Sequence, residues 1–402
     1  MELEQAKLRV IDEVDKRSAL LIDVSRQIHA RPELGFAEGF AHDLLTSVLA
    51  DEGLAVERGA YGLDTAFAAR AGTAGPHIAV ICEYDALPGL GHGCGHNVIA
   101  AAGLGAGLAA ATLAGLLPGR VSVLGTPAEE GGGGKVVMIQ RGAFDGVDAA
   151  MMIHPAGSDL RIMHTLAIHQ LVARYQGRAA HAAAAPDQGI NALDAAVLGY
   201  VNVAALRQHI RPDERIHGIF THGGDKPNIV PDRAEAHWYV RSPTRPGLEA
   251  LEVRVLACLQ AGADAAGATL TYEWLEPSYD DMVDNHPLLD LYAANARRLG
   301  RVLEEPTDLT AVTGSTDMGN VSHLVPSIHP MIKVAPTGVA IHTADFARAA
   351  VSDLADAAVL DGAKAMAMTI VDLWLDPAAR RRVAANVAPS VPSIPAAPAA
   401  TA

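Results

Sequence analysis

At roughly 100–200 residues per domain, a chain of 402 residues should form two or three domains rather than one small core. Half of the residues are hydrophobic and 19% are charged, enough apolar side chains for a large interior. The formal net charge is −15 and no Lys/Arg-rich run occurs, which argues against non-specific nucleic-acid binding.

The start, Met1-Glu2-Leu3-Glu4-Gln5, is acidic and amphipathic and lacks the basic and apolar segments of a signal peptide. Three cysteines, Cys82, Cys94 and Cys258, make no disulfide framework, so a cytoplasmic setting is expected. Leu8, Ile11, Val14, Leu20, Ile22, Val24 and Ile28 recur at helical spacing and predict one long helix over residues 1–30. A second helix is predicted over 37–53 and strands near 64–70 and 77–83. Two loop motifs follow, Glu83-Tyr84-Asp85-Ala86-Leu87-Pro88 and Gly91-His92-Gly93-Cys94-Gly95-His96-Asn97. The Ala/Gly-rich run 98–117 is apolar over about twenty residues. Lying between a metal-like loop and a strand, it reads as a buried helix over 98–114 rather than a membrane span. A strand, Arg120 to Gly125, leads into Thr126-Pro127-Ala128-Glu129-Glu130, four glycines and a helix, and a strand from Asp148 to Ile153 ends in His154-Pro155.

Alternating strands and helices predict an α/β fold, a central mixed sheet flanked by helices. Functional residues of such sheets gather beyond the strand ends, where Asp85, Glu129, Glu130 and His154 all fall. After residue 166 the order becomes β-α-β-β-α-β: strand 166–176, helix 190–209, strands 214–222 and 233–241, helix 247–266, strand 268–276. This predicts a ferredoxin-like unit at 167–282, inserted between a first part of the other domain at 1–166 and a second at 283–378. Helices are expected at 286–299 and 351–374, and the Ala/Pro-rich tail 379–402 is expected to be disordered.

Several of these residues could carry chemistry. Cys94-Gly95-His96 suits either a buried cysteine beside a helix-capping polar residue or a soft and borderline ligand pair for a divalent metal such as zinc. Glu129-Glu130 suits either a solvated acidic turn or a metal ligand beside a proton acceptor. A phosphate-binding loop is not supported, because Val136 follows Lys135 and Glu129 stands where its first glycine belongs. His154 and His342 are ambiguous alone. Together Cys94, His96, Glu130, His154 and His342 exceed the four ligands of a closed zinc site and would fit two metals sharing a bridge.

The motifs IHARPELGF, DALPGLGHGCGHN, GTPAEEGGGG, MMIHP, GRAAHA, PNIVP, GSTDMGNVS and IHTADF run from about His29 to about Leu373. In combination they resemble the dinuclear metallopeptidase/amidohydrolase family of aminoacylases, carboxypeptidase G-like enzymes and auxin-conjugate hydrolases. The GCGHN form is most similar to the branch of aminobenzoyl-glutamate hydrolase subunits and aminoacylase-related dipeptidases. The resemblance implies that Cys94, His96, Glu130, His154 and His342 bind two divalent metals, Zn or Mn, that Glu129 is the general base, and that Asp85 orients a ligand. It makes the inserted unit a dimerisation lid, with His181 and Asn228 reaching a neighbouring subunit's site and Arg241 holding a substrate carboxylate. The implied activity is hydrolysis of N-acyl, aminobenzoyl or aminoacyl amino acids by a homodimer or heteromer, with no nucleic-acid or membrane partner. A carbamoyl-amino-acid hydrolase, a non-catalytic subunit of the same fold and a structural protein with one closed metal site are the other readings.

Overall fold

The computed structural model describes residues 1–307 and 310–386. In chain order the first part contains α1 (Leu3–Lys16), α2 (Ser18–Ala30), α3 (Gly39–Asp51), β1 (Ala55–Arg58), β2 (Phe67–Ala71), β3 (His77–Glu83), α4 (His96–Ala114), β4 (Arg120–Thr126), α5 (Gly134–Gln140), β5 (Ala149–Met151), β6 (His154–Ala156) and β7 (His164–Thr165). The middle part contains β8 (Ala167–Gln176), α6 (Ala192–Leu206), β9 (Arg215–His222), β10 (Arg233–Ser242), α7 (Arg245–Ala266) and β11 (Thr269–Tyr279). The chain closes with α8 (His286–Arg298), β12 (Thr313–Gly314), α9 (Met318–Ser322), β13 (Ser327–Ile328), β14 (Met331–Lys333), α10 (Ala344–Ala349), α11 (Asp353–Leu375) and α12 (Pro377–Ala385).

The first sheet has the order β1-β2-β4-β3-β5-β13. Strands β4, β3, β5 and β13 run parallel, β2 runs antiparallel to β4 and β1 antiparallel to β2, so the sheet is mixed as expected. The carboxyl ends of the four parallel strands point to one edge, and Glu83, Asp85, Glu129, His154 and His329 lie at or just beyond those ends.

Helix α4 covers this sheet. It is apolar on all sides, the pattern of a helix buried all round rather than amphipathic. Among the described residues it is the one helix long and apolar enough to cross a membrane, and α1, α2 and α11 pack around it. Gly103 lets it approach β3, since a Cβ there would lie 2.4 Å from the Ile81 carbonyl oxygen.

The second sheet has the order β11-β8-β10-β9 and is antiparallel throughout. Ala234, Ala236, Trp238 and Val240 alternate inward along β10 and, with Leu171, Leu251 and Leu259, form a separate core beneath α6 and α7.

Two expectations need correction. The single helix over 1–30 is broken at Arg17, whose φ of −102° and ψ of 9° leave helical geometry. Its guanidinium lies 2.7 Å from Glu13 and 2.8 Å from Glu52, so the break is tied to the end of α3 by a contact distant in sequence. The tail expected to be disordered from 379 continues as α12. Asp376 accepts from Ala378 and Ala379 N–H at 2.8 and 3.0 Å, Pro377 fits the first turn, and Asn285 donates to the Val383 carbonyl at 2.9 Å. Residues 387–402 lie outside the described residues.

Candidate active site

The loop 91–97 is shaped by Gly95, whose φ of 78° an L side chain seldom adopts. The turn makes His96 the first residue of α4 and leaves Cys94 just ahead of it. Asn97 anchors the turn by donating to Ser25 Oγ and the Ala350 carbonyl, both at 2.9 Å. Two other site loops hold non-glycine residues in the left-handed region, Ala128 at φ 58° and His342 at φ 62°. Such backbone persists only when its surroundings enforce it. Here Ala128 N–H donates to buried Glu38 at 2.8 Å and His342 N–H to the Gly93 carbonyl at 2.8 Å.

These loops bring the expected ligand-type residues together. Cys94, His96 and His154 offer atoms within 4.8 Å of one another, and so do Cys94, Glu130 and His342. Cys94 belongs to both triads. Its Sγ lies 3.3 Å from His154 Nε2, and Glu130 Oε1 lies 3.5 Å from His342 Nε2. Asp85 stands behind both, with Oδ1 3.1 Å from His96 Nδ1 and Oδ2 accepting from Glu130 N–H at 2.9 Å.

The donors fit a cation in kind and in charge. Glu83, Asp85, Glu129, Glu130 and Asp317 bring five carboxylates to the site, against one buried ammonium, that of Lys135. Buried like charges are costly unless compensated. Glu83 Oε1, His96 Nε2 and Glu130 Oε1 are buried without a hydrogen-bond partner, although the first two lie 3.0 Å apart, so they are close but not aligned for a bond. Soft thiolate, imidazole and carboxylate together suit zinc or manganese.

The electrostatics follow from this crowding. Burial, then the charges of Glu83 and Glu130, raise the Glu129 carboxyl well above the usual carboxylate range. Burial also pulls Glu130 upward, but His342 and His96 outweigh it and hold Glu130 below that range. Burial, then the neighbouring His96 charge, lower His154 to about 4, so its ring is neutral as a ligand must be. Burial pushes the Cys94 thiol up, against the opposing pull of the neighbouring His96.

Residues from both sheets and their loops line one cavity of about 490 Å³. Cys94, Glu129 and His154 form its floor on the first sheet, and Tyr239, Arg241 and Tyr279 come from the second. Arg241 is half-buried and donates to Ser315 Oγ at 3.0 Å, and it has no carboxylate within an ion-pair distance among the described residues. His181 and Asn228 do not reach this cavity. They are exposed on the second unit beside one another, where Ala182 N–H donates to the Asn228 carbonyl at 3.0 Å. His181 Nδ1 accepts from Ala183 and Ala184 N–H at 3.2 and 3.1 Å, which leaves its proton on Nε2, pointing away from the backbone.

Sequence reasoning missed several residues of the site, the carboxylates of Glu83 and Asp317 among them. Lys135 contacts Glu83 and lies 2.7 Å from Asp317 Oδ1. Tyr279 donates to the Glu129 carbonyl at 2.6 Å and accepts from Gly133 N–H at 2.9 Å, tying the second sheet to the acidic loop. His329 is buried on the cavity wall, with both ring nitrogens unpartnered and its ring edge-on to His154 at 5.2 Å. One signal could have found it: Ile328-His329-Pro330 repeats Ile153-His154-Pro155, each at the end of a parallel strand.

Ligand-type triads that share a thiol, with a buried acid beside them, suit a centre that activates water, and the class is a metal-dependent hydrolase of peptide or amide bonds. Residues 79–370 match the model of peptidase family M20/M25/M40, and the chain belongs to that family. It is 42% identical over 392 residues to the Xaa-Arg dipeptidase of Mus musculus, covering 94% of this chain and 91% of that one. It is 30% identical over 428 residues to a p-aminobenzoyl-glutamate hydrolase chain of Escherichia coli, covering 88% and 89%. In fold it is similar to the aminobenzoyl-glutamate utilization protein of Klebsiella pneumoniae, with TM-score 0.71, 18% identity and coverage of 92% and 99%. It is also similar to a dinuclear metal binding peptidase of the M20 family from Bacillus subtilis, with TM-score 0.69, 20% identity and coverage of 90% and 99%.

Proposed function

We propose that the protein hydrolyses the amide bond of a dipeptide or N-acyl amino acid bearing a free carboxylate, with Glu129 as general base. The observation that carries this reading is Cys94, common to both ligand triads, with Glu129 buried next to Glu130. Cys94, His96 and His154 would hold one divalent ion and Cys94, Glu130 and His342 the other, zinc favoured by the thiolate and manganese accepted by imidazole and carboxylate. Ions held there would supply polarisation of the carbonyl and a bound water of pKa about 7. Glu129 takes the proton of the attacking water and returns it to the leaving nitrogen. Asp85 orients His96 and Glu130. Arg241, short of an anion, binds the substrate carboxylate through its planar fork.

His181 and Asn228 act from the other subunit of a homodimer, where the free Nε2–H of His181 and the Asn228 amide stabilise the oxyanion. The second unit has a surface suited to that pairing: Val197, Leu198 and Val201 of α6 and Ile219 and Phe220 of the edge strand β9 are exposed. Free Cys82, Cys94 and Cys258 accord with a cytoplasmic setting.

The likeness to Xaa-Arg dipeptidases puts dipeptides ending in Arg first among substrates, followed by aminobenzoyl-glutamate and N-acetyl amino acids. The test is amine release from that panel with zinc or manganese added. Glu129→Gln should lose turnover by about 10²–10⁴-fold and keep its metals. Absence of release from every member, or a wild-type rate in Glu129→Gln, would sink the reading.

A further inference from the structure

The turn from Glu129 to Gly133 is bridged by one hydroxyl that hydrolysis as described above does not use. Tyr279, the last residue of β11 in the second sheet, donates its O–H to the Glu129 carbonyl at 2.6 Å and accepts from Gly133 N–H at 2.9 Å. The glycines between those two atoms have no side chains to stiffen the turn. None would fit, since a Cβ at Gly132 would collide with the Phe36 ring and one at Gly133, whose φ is 58°, with Pro277. The turn therefore takes its shape from the bonds its backbone makes. Glu38 holds Ala128 N–H, Asp85 holds Glu130 N–H, and Tyr279 holds the Glu129 carbonyl between them. Tyr279 also lines the cavity, but a phenol has one proton, and with that proton on the Glu129 carbonyl the hydroxyl has none to donate to a substrate.

We propose that Tyr279 is a positioning residue: by fixing the Glu129 carbonyl from the second sheet, it sets the backbone from which the Glu129 carboxylate is aimed at the attacking water. The proposal rests on the reading of Glu129 as base. A base must come within about 2.6–3.2 Å of the proton it takes. A misplacement of about 1 Å costs about 100-fold in rate. Glu130 is held independently, its N–H by Asp85 and its carboxylate beside His342, so loss of the hydroxyl falls on the base and spares the metal ligands. A tyrosine that only braced the fold would lower stability and leave the turnover of the folded protein alone. A tyrosine that touched the substrate would act whether or not the base is present.

The test uses the full chain carrying Tyr279→Phe, which keeps the ring and its packing and removes only the hydroxyl. It is assayed with zinc added, on the panel member that the wild type hydrolyses fastest. kcat should fall about 10–100-fold, with KM nearly unchanged and the metal content, by elemental analysis, equal to that of the wild type. In a Glu129→Gln background the same change should cost nothing further, because residues that act through one step are not additive. A wild-type kcat in Tyr279→Phe, or a loss of metal from it, would overturn the proposal. So would an equal fold-loss in both backgrounds, which would place Tyr279 on the substrate. Failure of the base reading looks different: Glu129→Gln alone would then keep its turnover, whatever Tyr279→Phe does.

Discussion

Asp85 Oδ1 lies 3.1 Å from His96 Nδ1, and this contact decides which nitrogen of His96 faces the other ligand-type residues. With the proton on Nδ1 donated to Asp85, the Nε2 lone pair is left for a metal. The second oxygen, Oδ2, accepts from Glu130 N–H at 2.9 Å, so one carboxylate orients a residue from each triad. Asp85→Asn keeps the shape but turns one of these contacts into a donor facing a donor. Metal affinity should fall about 10–100-fold with the circular dichroism unchanged. Chelator competition measures it, and an unchanged affinity would remove Asp85 from this role.

Arg241 supplies a prediction about substrate. A charge-assisted hydrogen bond is worth about 1.5–3 kcal/mol, or roughly 10–100-fold. Arg241→Met should therefore lower kcat/KM by that factor for a substrate with a free carboxylate. It should have little effect on the same compound with the carboxylate amidated. Equal losses on both would mean that Arg241 supports the cavity wall and does not read the carboxylate.

Gly103 sets two effects against each other. Alanine in a helix interior is better than glycine by about 0.8–1.0 kcal/mol. A Cβ at 103, however, would meet the Ile81 carbonyl at 2.4 Å and Cys82 Sγ at 2.9 Å. Overpacking of that kind costs about 1–3 kcal/mol. The clash is with backbone and cannot rotate away, so Gly103→Ala should be net destabilising in urea denaturation. Metal affinity should fall with it, because α4 begins at His96. A stabilised variant would show that α4 can lift from β3 at no cost.

Asp284 predicts a pH dependence of stability. Burial, then the charge of Glu305, raise its carboxyl to about 7. The folded chain thus keeps this proton up to about pH 7, whereas the unfolded chain releases it near pH 4. Between those values the folded state binds more protons, so the contribution of Asp284 is full below about pH 4 and is lost as pH rises through 7. Asp284→Asn cannot ionise, and its gain in thermal midpoint over the wild type should be larger at pH 8 than at pH 5. The same difference at both values would contradict the assignment.

Much of this molecule was legible along the chain. The all-apolar run at 98–114, the short strands ending in polar motifs and the β-α-β-β-α-β order depend on local periodicity, which acts within a few residues. Cys94, His96, Glu129, Glu130 and His154 could be brought together on paper because parallel strands deliver their carboxyl ends to one edge. His329 shows the limit of that reasoning. Its Ile-His-Pro setting matches that of His154, yet the two rings meet only because β13 pairs with β5.

What the sequence by itself determined was the set of elements and the loop residues with ligand chemistry, since period, turn residues and residue type are local properties. Only the tertiary structure decided the break at Arg17, the docking of α12 through Asn285, the carriage of His181 and Asn228 away from the cavity, and the place of Lys135 between Glu83 and Asp317. These depend on charges and hydrogen bonds between residues far apart in the chain, 182 positions in the case of Lys135 and Asp317. No local pattern encodes such a partner. It is selected when burial makes an uncompensated charge too costly to leave alone.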